Sequence, residues 1–213
     1  SRRGRALSLR SQVSRSTASS SLRLAETQRW LDSIVIGERL CPFAPQVSAT
    51  ESLKLRASAA TNLDGIVHEV AEEAAALRAG IECPSAGVTQ TTLLVLDGSV
   101  GGTVIQWRDL IALSWRIQAE ALVAGGHAEH LQLVLFHPEA THNTYAERGA
   151  PTDAGDYSIR APHPTVQLLR EMDVHAGVMT HPDAAGIPAR NRVRLRGLGV
   201  KHCAAALTAC YEV

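Results

Sequence analysis

Three side chains could take part in catalysis: Cys41 and His137, which stand at predicted element ends, and Tyr157, which lies in a segment without periodicity. His137 follows a predicted buried strand, and ligands of open α/β sheets bind beyond the carboxyl ends of the strands. Because an imidazole titrates near neutral pH, His137 is expected to serve as an acid or base, or as a metal ligand. The alternative is a histidine whose ring is hydrogen-bonded by backbone groups at the strand end.

Cys41 lies in the motif Leu40-Cys41-Pro42-Phe43, which is comparable with glutaredoxin-like redox sites. The comparison fails because Ala44 stands at the second-cysteine position and because a predicted helix, not a strand, precedes Cys41. Redox folds place the reactive thiol at a helix N-terminus, where the helix dipole stabilises the thiolate. A buried, structural cysteine at a helix-ending proline is therefore the favoured interpretation, and a catalytic thiol is the alternative.

Arg160 lies beside Tyr157 in residues 139–162, which show neither helical nor strand periodicity. A loop of this length is usually functional or disordered. The planar fork of an arginine suits a carboxylate or a phosphate, and Pro164 can open a helix whose free N–H groups would assist. Arg160 is therefore a candidate anion-binding residue, and the alternative is a surface arginine paired with a nearby aspartate.

Arg190 and Asn191 lie in the first turn of a short predicted helix, residues 188–196. A cation at that position opposes the helix dipole, so a role is expected for it: pairing with Asp183 or holding a substrate. The arginines that follow alternate with apolar residues, which favours a solvated helix face over a nucleic-acid interface.

We expect six residues to converge on one pocket at the strand ends and to bind a small anion or carboxylate. The six are Cys41, His137, Tyr157, Arg160, Arg190 and Asn191. If the protein is an enzyme, which the sequence leaves open, His137 is the acid or base and Arg160 the anion clamp. The hypothesis requires these two residues to lie within about 12 Å of each other, the reach of one small-molecule pocket.

Two alternatives to that pocket stay open. One is a non-catalytic metal-handling or assembly factor in an organelle, with Cys41 and His137 as soft ligands. The other is a purely structural role, in which the motifs are packing and turn devices. No residue spacing identifies a particular cofactor.

Hydrophobic periodicity predicts the elements that must position these residues. Strands are expected over residues 52–58, 91–96 and 131–136. Helices are expected over residues 24–40, 63–80, 105–123 and 188–196, with another opening at Pro164 and presenting Val166, Leu168, Leu169 and Met172. The alternation of strands and helices predicts one α/β domain, with a small, mostly parallel or mixed sheet of about three strands covered by four to five helices.

Charge divides the 213-residue chain into two unlike parts. The chain holds 21 basic and 21 acidic residues, and residues 1–25 hold six arginines and no acid, which leaves 15 basic and 21 acidic residues elsewhere. An Arg- and Ser-rich, acid-free start is typical of an organellar transit peptide; a disordered arm, a cloning residue or a nucleic-acid tether is the alternative. We expect a leader over residues 1–23, a domain over 24–199 and a tail over 200–213.

The same composition sets expectations about location and partners. The leader predicts a plastid or a mitochondrion, and without import the protein would be cytoplasmic. An acidic domain makes nucleic-acid binding unexpected, and no apolar run approaches about 18 residues, so no membrane span is expected. A small anionic ligand is the expected partner, and the oligomeric state is open.

Seven short motifs, in the same order over residues 25–199, resemble those of the domain of unknown function 1415 family. The motifs are Trp30-Leu31 with Val35-Ile36-Gly37, Leu40-Cys41-Pro42-Phe43-Ala44, Thr91-Thr92-Leu93-Leu94, Phe136-His137-Pro138, Tyr157-Ser158-Ile159-Arg160-Ala161-Pro162-His163-Pro164, Leu168-Leu169-Arg170-Glu171 and Ile187-Pro188-Ala189-Arg190-Asn191. The resemblance implies a single domain and supplies no reaction, substrate or cofactor.

The family pattern has an Asn-Tyr-Thr-Asn-Arg-Ser-Pro-Tyr-Pro-like stretch at residues 156–164. Four positions match that pattern: Tyr157, Arg160, Pro162 and Pro164. Four depart from it: Asp156, Ile159, Ala161 and His163. The resemblance therefore leaves an anion-binding role open for the arginine, while Ile159 and Ala161 have no polar side chain with which to contribute.

Overall fold

The computed structural model describes residues 19–83, 89–143 and 151–212 of the chain. Its main sheet has four strands, which are β1 (Leu53–Ala57), β2 (Thr91–Val95), β5 (Leu131–Phe136) and β6 (Thr165–Arg170). They lie in the order β1-β2-β6-β5; β1 and β2 are parallel, and β6 is antiparallel to both of its neighbours. A separate hairpin pairs β3 (Ser99–Val100) with β4 (Thr103–Val104).

Helices cover both faces of the sheet. In chain order they are α1 at residues 19–30, continuing as the π-helical segment Leu31–Ile36; α2, Ala44–Ala49; α3, Leu63–Glu82; α4, Trp107–Arg116, continuing as the π-helical segment Ile117–Val123; a 3₁₀ turn, Ala154–Ser158; α5, Glu171–Thr180; α6, Ile187–Leu198; and α7, Val200–Ala209. The mixed α/β class predicted from the sequence is confirmed; the main sheet has one strand more than the three expected, and the hairpin adds two short strands.

The additional strand of the main sheet is β6, and the prediction of a helix that opens at Pro164 is wrong. Val166 and Leu168 are buried toward one face of the sheet, whereas Gln167 and Leu169 point to the other. That is the two-residue period of a strand. A short apolar run cannot be assigned to helix or strand by periodicity alone. Here the segment becomes a strand because it pairs with β2 on one side and with β5 on the other.

One face of the sheet carries a closed core. Helices α3 and α4 pack on it through fully buried side chains such as Ile66, Leu110 and Ile117. At its edge the buried carboxylate of Glu73 accepts hydrogen bonds from Lys54 and Arg56 of β1, at 2.7–2.9 Å. Burial of this face anchors two long helices to the strands.

The other face is packed by α1, α6 and α7 around Trp30, Leu93 and Tyr157. Helix α7 lies at residues for which the sequence predicted only a tail, and its Cys203 and Leu207 are buried in this second core. The core fills only part of the face, and the remaining part, over β5 and β6, is where the cavity described next lies.

Candidate functional site

A cavity of about 600 Å³ lies on the second face of the sheet. The strands form its floor, with Leu93 from β2, Gln167 and Leu169 from β6, and Gln132 and Phe136 from β5. Alternate residues of a strand share a face, and the strand register aligns them, because Gln167 pairs with Leu93 and Leu169 with Gln132. The floor is therefore apolar with two amide side chains set into it.

One of those amides is held by a short hydrogen-bond chain. The Gln167 Nε2 atom donates to Thr91 Oγ1 at 2.9 Å, and the Thr91 hydroxyl donates to the Leu168 carbonyl at 2.8 Å. This arrangement fixes the amide on the floor with its carbonyl oxygen unpaired within the described chain. A side chain fixed in this way can accept a hydrogen bond from a bound molecule at little entropic cost.

Arg170 ends β6 in the cavity wall, and it is 8% exposed. Its Nε atom donates to Asp173 Oδ2 at 2.5 Å, across the start of α5. The two terminal nitrogens of its guanidinium have no hydrogen-bond partner among the described residues. The Trp30 indole N–H, in the same wall, is buried and also without a partner in the described part of the chain.

Helix α5 covers the cavity without being buried itself. None of its ten residues is buried, although Asp173, Val174 and Gly177 line the cavity. Gly177 meets the ring of Phe43 closely: a Cβ added there would lie 3.1 Å from Phe43 Cε1. Because α5 buries little apolar area, it is held less firmly than the helices on the closed face.

Three of the six predicted site residues line the cavity: Cys41, Tyr157 and Asn191. Cys41 lies between α1 and α2 and is partly exposed. Asn191 Nδ2 donates to the carbonyl of Leu40 at 2.7 Å, which ties α6 to the turn that carries the cysteine. Tyr157 is buried in the 3₁₀ turn, and its ring faces the core. Their chemical roles remain predictions.

The other three are not among the described residues that line the cavity. His137 is buried, with its Nε2 atom 2.9 Å from the Ile105 carbonyl and its Nδ1 atom accepting the Glu139 N–H. Burial lowers the pKa of this imidazole below its ordinary value. Both ring nitrogens are thus taken by backbone groups, which is the alternative that the sequence left open for His137.

Arg160 lies close to His137 but outside the cavity. Its Nε atom donates to the Ala140 carbonyl at 2.9 Å, and its guanidinium lies 4.6 Å from the centre of the Tyr157 ring. The Ala140 N–H in turn donates to the His137 carbonyl. Arg190 is exposed on α6 and pairs with Asp183, one of the two roles expected for it.

Arg170 was absent from the sequence-based candidates because its segment was assigned to a helix. The signal that could have identified it is an arginine at the last position of an alternating segment, inside one of the family motifs. Read as a strand, that segment places Arg170 at the end of β6, beside the start of β5.

No group of three or more His, Cys, Asp or Glu side chains in the described residues is arranged to hold a metal ion. Of the helices in residues 19–83, 89–143 and 151–212, none is long and apolar enough to cross a membrane.

Comparison with known proteins identifies a family. The model of a family described as "Protein of unknown function (DUF1415)" matches residues 23–205, which is most of the chain. This confirms the resemblance that the seven motifs indicated. Neither the curated proteins nor the solved structures gave a match.

Proposed function

We propose that this chain, which belongs to the DUF1415 family of proteins of unknown function, binds a small amphipathic molecule in the cavity beneath α5. The molecule has an apolar body and one anionic end, such as a carboxylate. The single observation that carries the proposal is Arg170, a buried arginine in the cavity wall with two terminal nitrogens uncommitted.

The donors of Arg170 support an anionic end. Asp173 takes the Nε–H, which leaves the two terminal nitrogens without a partner among the described residues. A carboxylate can accept from both nitrogens of a guanidinium in one planar arrangement. An acid that enters the cavity could therefore form charge-assisted hydrogen bonds with Arg170.

The charge of the wall supports a single negative charge on the ligand. Among the described residues that line the cavity, Arg170 and Asp173 are the two that carry charge, and they neutralise each other. A ligand with several negative charges would meet the Asp173 carboxylate without a second cation to offset it. A monoanion needs only the two terminal nitrogens of Arg170 as hydrogen-bond donors.

The remaining surface supports an apolar body. Trp30, Leu31, Val35, Leu93 and Phe136 contribute hydrocarbon to the walls and floor. A volume of about 600 Å³ falls within the range of roughly 300–1,000 Å³ that is typical of small-molecule sites. Burying an alkyl chain or an aromatic ring here gains about 25 cal/mol for each Å² of apolar surface removed from water.

The test uses octanoate as the probe and octanol as its uncharged counterpart, with affinity measured by titration calorimetry. We expect Arg170→Gln to weaken octanoate binding by about 10–100-fold, the effect of losing a charge-assisted hydrogen bond, and to leave octanol unchanged. Arg190→Gln is the matched control, since Arg190 also pairs with an aspartate but lies outside the cavity. Equal effects of the two substitutions on octanoate would contradict the proposal.

A second readout locates the probe. Cys41 lines the cavity, whereas Cys83 is exposed elsewhere and serves as an internal control. Bound octanoate is expected to slow alkylation of Cys41 by iodoacetamide and to leave Cys83 unaffected, as measured by peptide mass spectrometry. Equal protection of both thiols, or of neither, would mean that octanoate binds outside the cavity.

The location of the protein is proposed on composition alone. Residues 1–23 carry the Arg- and Ser-rich, acid-free composition of a transit peptide, which favours a plastid or mitochondrion. A fluorescent protein fused behind these residues should enter the organelle, and a version with the six arginines replaced by glutamine should stay in the cytosol. Cytosolic fluorescence from both would refute the proposal.

A further inference from the structure

A serine and a histidine meet at the wall of the cavity. Ser158 lines it, and its Oγ atom lies 3.0 Å from Nε2 of His142, whose side chain is exposed. That separation falls in the range of about 2.6–3.2 Å found between a nucleophile and its general base. Neither residue lies in a recognised nucleophile motif, so the pair was not predicted from the sequence.

Hydrogen bonds hold both segments that carry the pair. The His142 backbone N–H donates to the buried carboxylate of Asp156 at 2.9 Å. Asp156 itself belongs to the 3₁₀ turn, whose start is fixed by the Asp153 side chain accepting from the Gly155 N–H at 2.8 Å. Ser158 ends that turn, so one aspartate joins the two segments and sets the distance between them.

The hydroxyl proton of Ser158 has two acceptors within reach. These are the Gly155 carbonyl at 2.8 Å and the Nε2 atom of His142 at 3.0 Å. When Nε2 is unprotonated, the hydroxyl can turn from the carbonyl to the imidazole. The proton then lies on the path from the nucleophile to the base.

We infer that Ser158 and His142 cleave an acyl ester whose acid part occupies the cavity; this rests on the proposed function. Ser158 Oγ attacks the carbonyl carbon while its proton passes to His142 Nε2, and the bond from that carbon to the leaving oxygen breaks as the oxygen takes the proton. Water then attacks the acyl-serine and gives one proton to His142. The acid is released as Ser158 regains its proton.

The position of the pair along the sheet defines the substrate. Gln132, at the start of β5, pairs with Leu169 beside Arg170, and Phe136 ends the same strand. The next residue, His137, donates its N–H to the carbonyl of Ile159, which follows Ser158. Four residues of strand span about 13 Å. The backbone positions of Arg170 and Ser158 are therefore about 13 Å apart along the sheet. The substrate is accordingly an ester whose anionic end and acyl carbon are joined by an apolar chain.

The test uses mono-para-nitrophenyl esters of straight-chain dicarboxylic acids of increasing length. Release of para-nitrophenolate is expected to peak at one intermediate length, because a free carboxylate at Arg170 must leave the ester at Ser158. Ser158→Ala and His142→Ala should each lower the peak rate at least about 100-fold. Ser114→Ala is the matched control, since Ser114 makes the same hydrogen bond to a preceding carbonyl, Ile111, on α4.

A covalent probe gives an independent readout that does not depend on the Ser158 variant folding. Phenylmethylsulfonyl fluoride should attach its sulfonyl group to Ser158 Oγ with loss of fluoride and a proton, and the label should disappear in His142→Ala. The exposed His68 provides the matched substitution, His68→Ala, which should keep the label. Peptide mass spectrometry identifies the labelled serine.

The outcomes separate this inference from the proposed function. Octanoate binding that depends on Arg170, together with ester cleavage that is the same in wild type and Ser158→Ala, would overturn the inference and leave the proposed function standing. A label at another serine would also overturn it. If octanoate does not bind at all, both fail.

Discussion

The two faces of the sheet differ in how completely they are covered. On the first face, α3 buries seven of its residues, and the side chains of Ile66, Leu77 and Leu110 are almost inaccessible. On the second face, α5 buries none of its residues and spans a cavity of about 600 Å³. The same strands supply both faces, so the difference shows that incomplete packing on one side, rather than the sheet itself, creates the candidate site.

The largest change in stability is expected from substitutions at two adjacent residues of β6 whose side chains point to opposite faces of the sheet. Leu168→Ala is expected to lower the free energy of unfolding by about 2–5 kcal/mol, because it empties space in a closed core. Leu169→Ala should cost only about 1 kcal/mol, since that side chain already borders an open cavity. Urea unfolding of both variants measures the difference, and equal losses would contradict the comparison.

A smaller effect is expected at the buried ion pairs of the first face. Burial opposes ionisation of Glu73, but hydrogen bonds from Lys54 and Arg56 outweigh it and hold the pKa of this carboxyl below 4.5. Its contribution is therefore complete above about pH 4.5 and is lost as the pH falls through the lowered folded-state value. Glu73→Gln should cost about 1–3 kcal/mol at about pH 7, and much less at about pH 3.

That pH dependence is checked by urea unfolding of wild type and Glu73→Gln at both pH values. Gln keeps the shape of the side chain and removes only its charge. A difference between the two proteins that stays constant with pH would mean that the carboxylate contributes no electrostatic stabilisation.

His137 belongs to the first face, where it bonds to Ile105 and lies beside Trp107. Because burial lowers its pKa below 6.5, folding favours the neutral ring. Its contribution is present above about pH 6.5 and falls as the pH drops below that value. Between about pH 7 and pH 5.5, wild type should lose more stability than His137→Gln, because the unfolded chain takes up a proton that the folded ring resists. Parallel pH profiles would show that the imidazole is not held neutral.

The smallest free energy is expected for local opening of α5. Few buried contacts hold this helix, so its amides should exchange with deuterium faster than those of α3. Octanoate bound beneath it should slow exchange in α5 and leave α3 unchanged. Hydrogen exchange with mass spectrometry measures both, and equal protection of the two helices in the free protein would contradict the account of the second face.

Sequence periodicity was sufficient for β1, β2, β5 and the long helices, because each carries a run or stripe that packing reinforces. It was insufficient for β6, whose six residues become a strand through pairing with neighbours distant in the chain. Because of the same error, Arg170 was not among the candidate residues predicted from the sequence. Local pattern cannot express such tertiary pairing.

The candidate residues show a second limit. His137 and Cys41 were grouped because both stand at element ends, but an element end does not reveal which face a side chain joins. The His137 side chain lies on the first face and is hydrogen-bonded to backbone groups, whereas Cys41 lines the cavity on the second face. The pair formed by Ser158 and His142 could not be predicted, since it depends on how two loops lie against each other.

The most direct measurement is a crystal structure of the protein with octanoate that carries bromine on its terminal carbon. The account predicts the carboxylate within hydrogen-bond distance of the Arg170 terminal nitrogens and anomalous bromine density toward Tyr157 and Ser158. Wild type should show this density, and Arg170→Gln should not. Bromine density outside the cavity, or equal occupancy in both proteins, would contradict the claim that this cavity binds an anionic amphipath through Arg170.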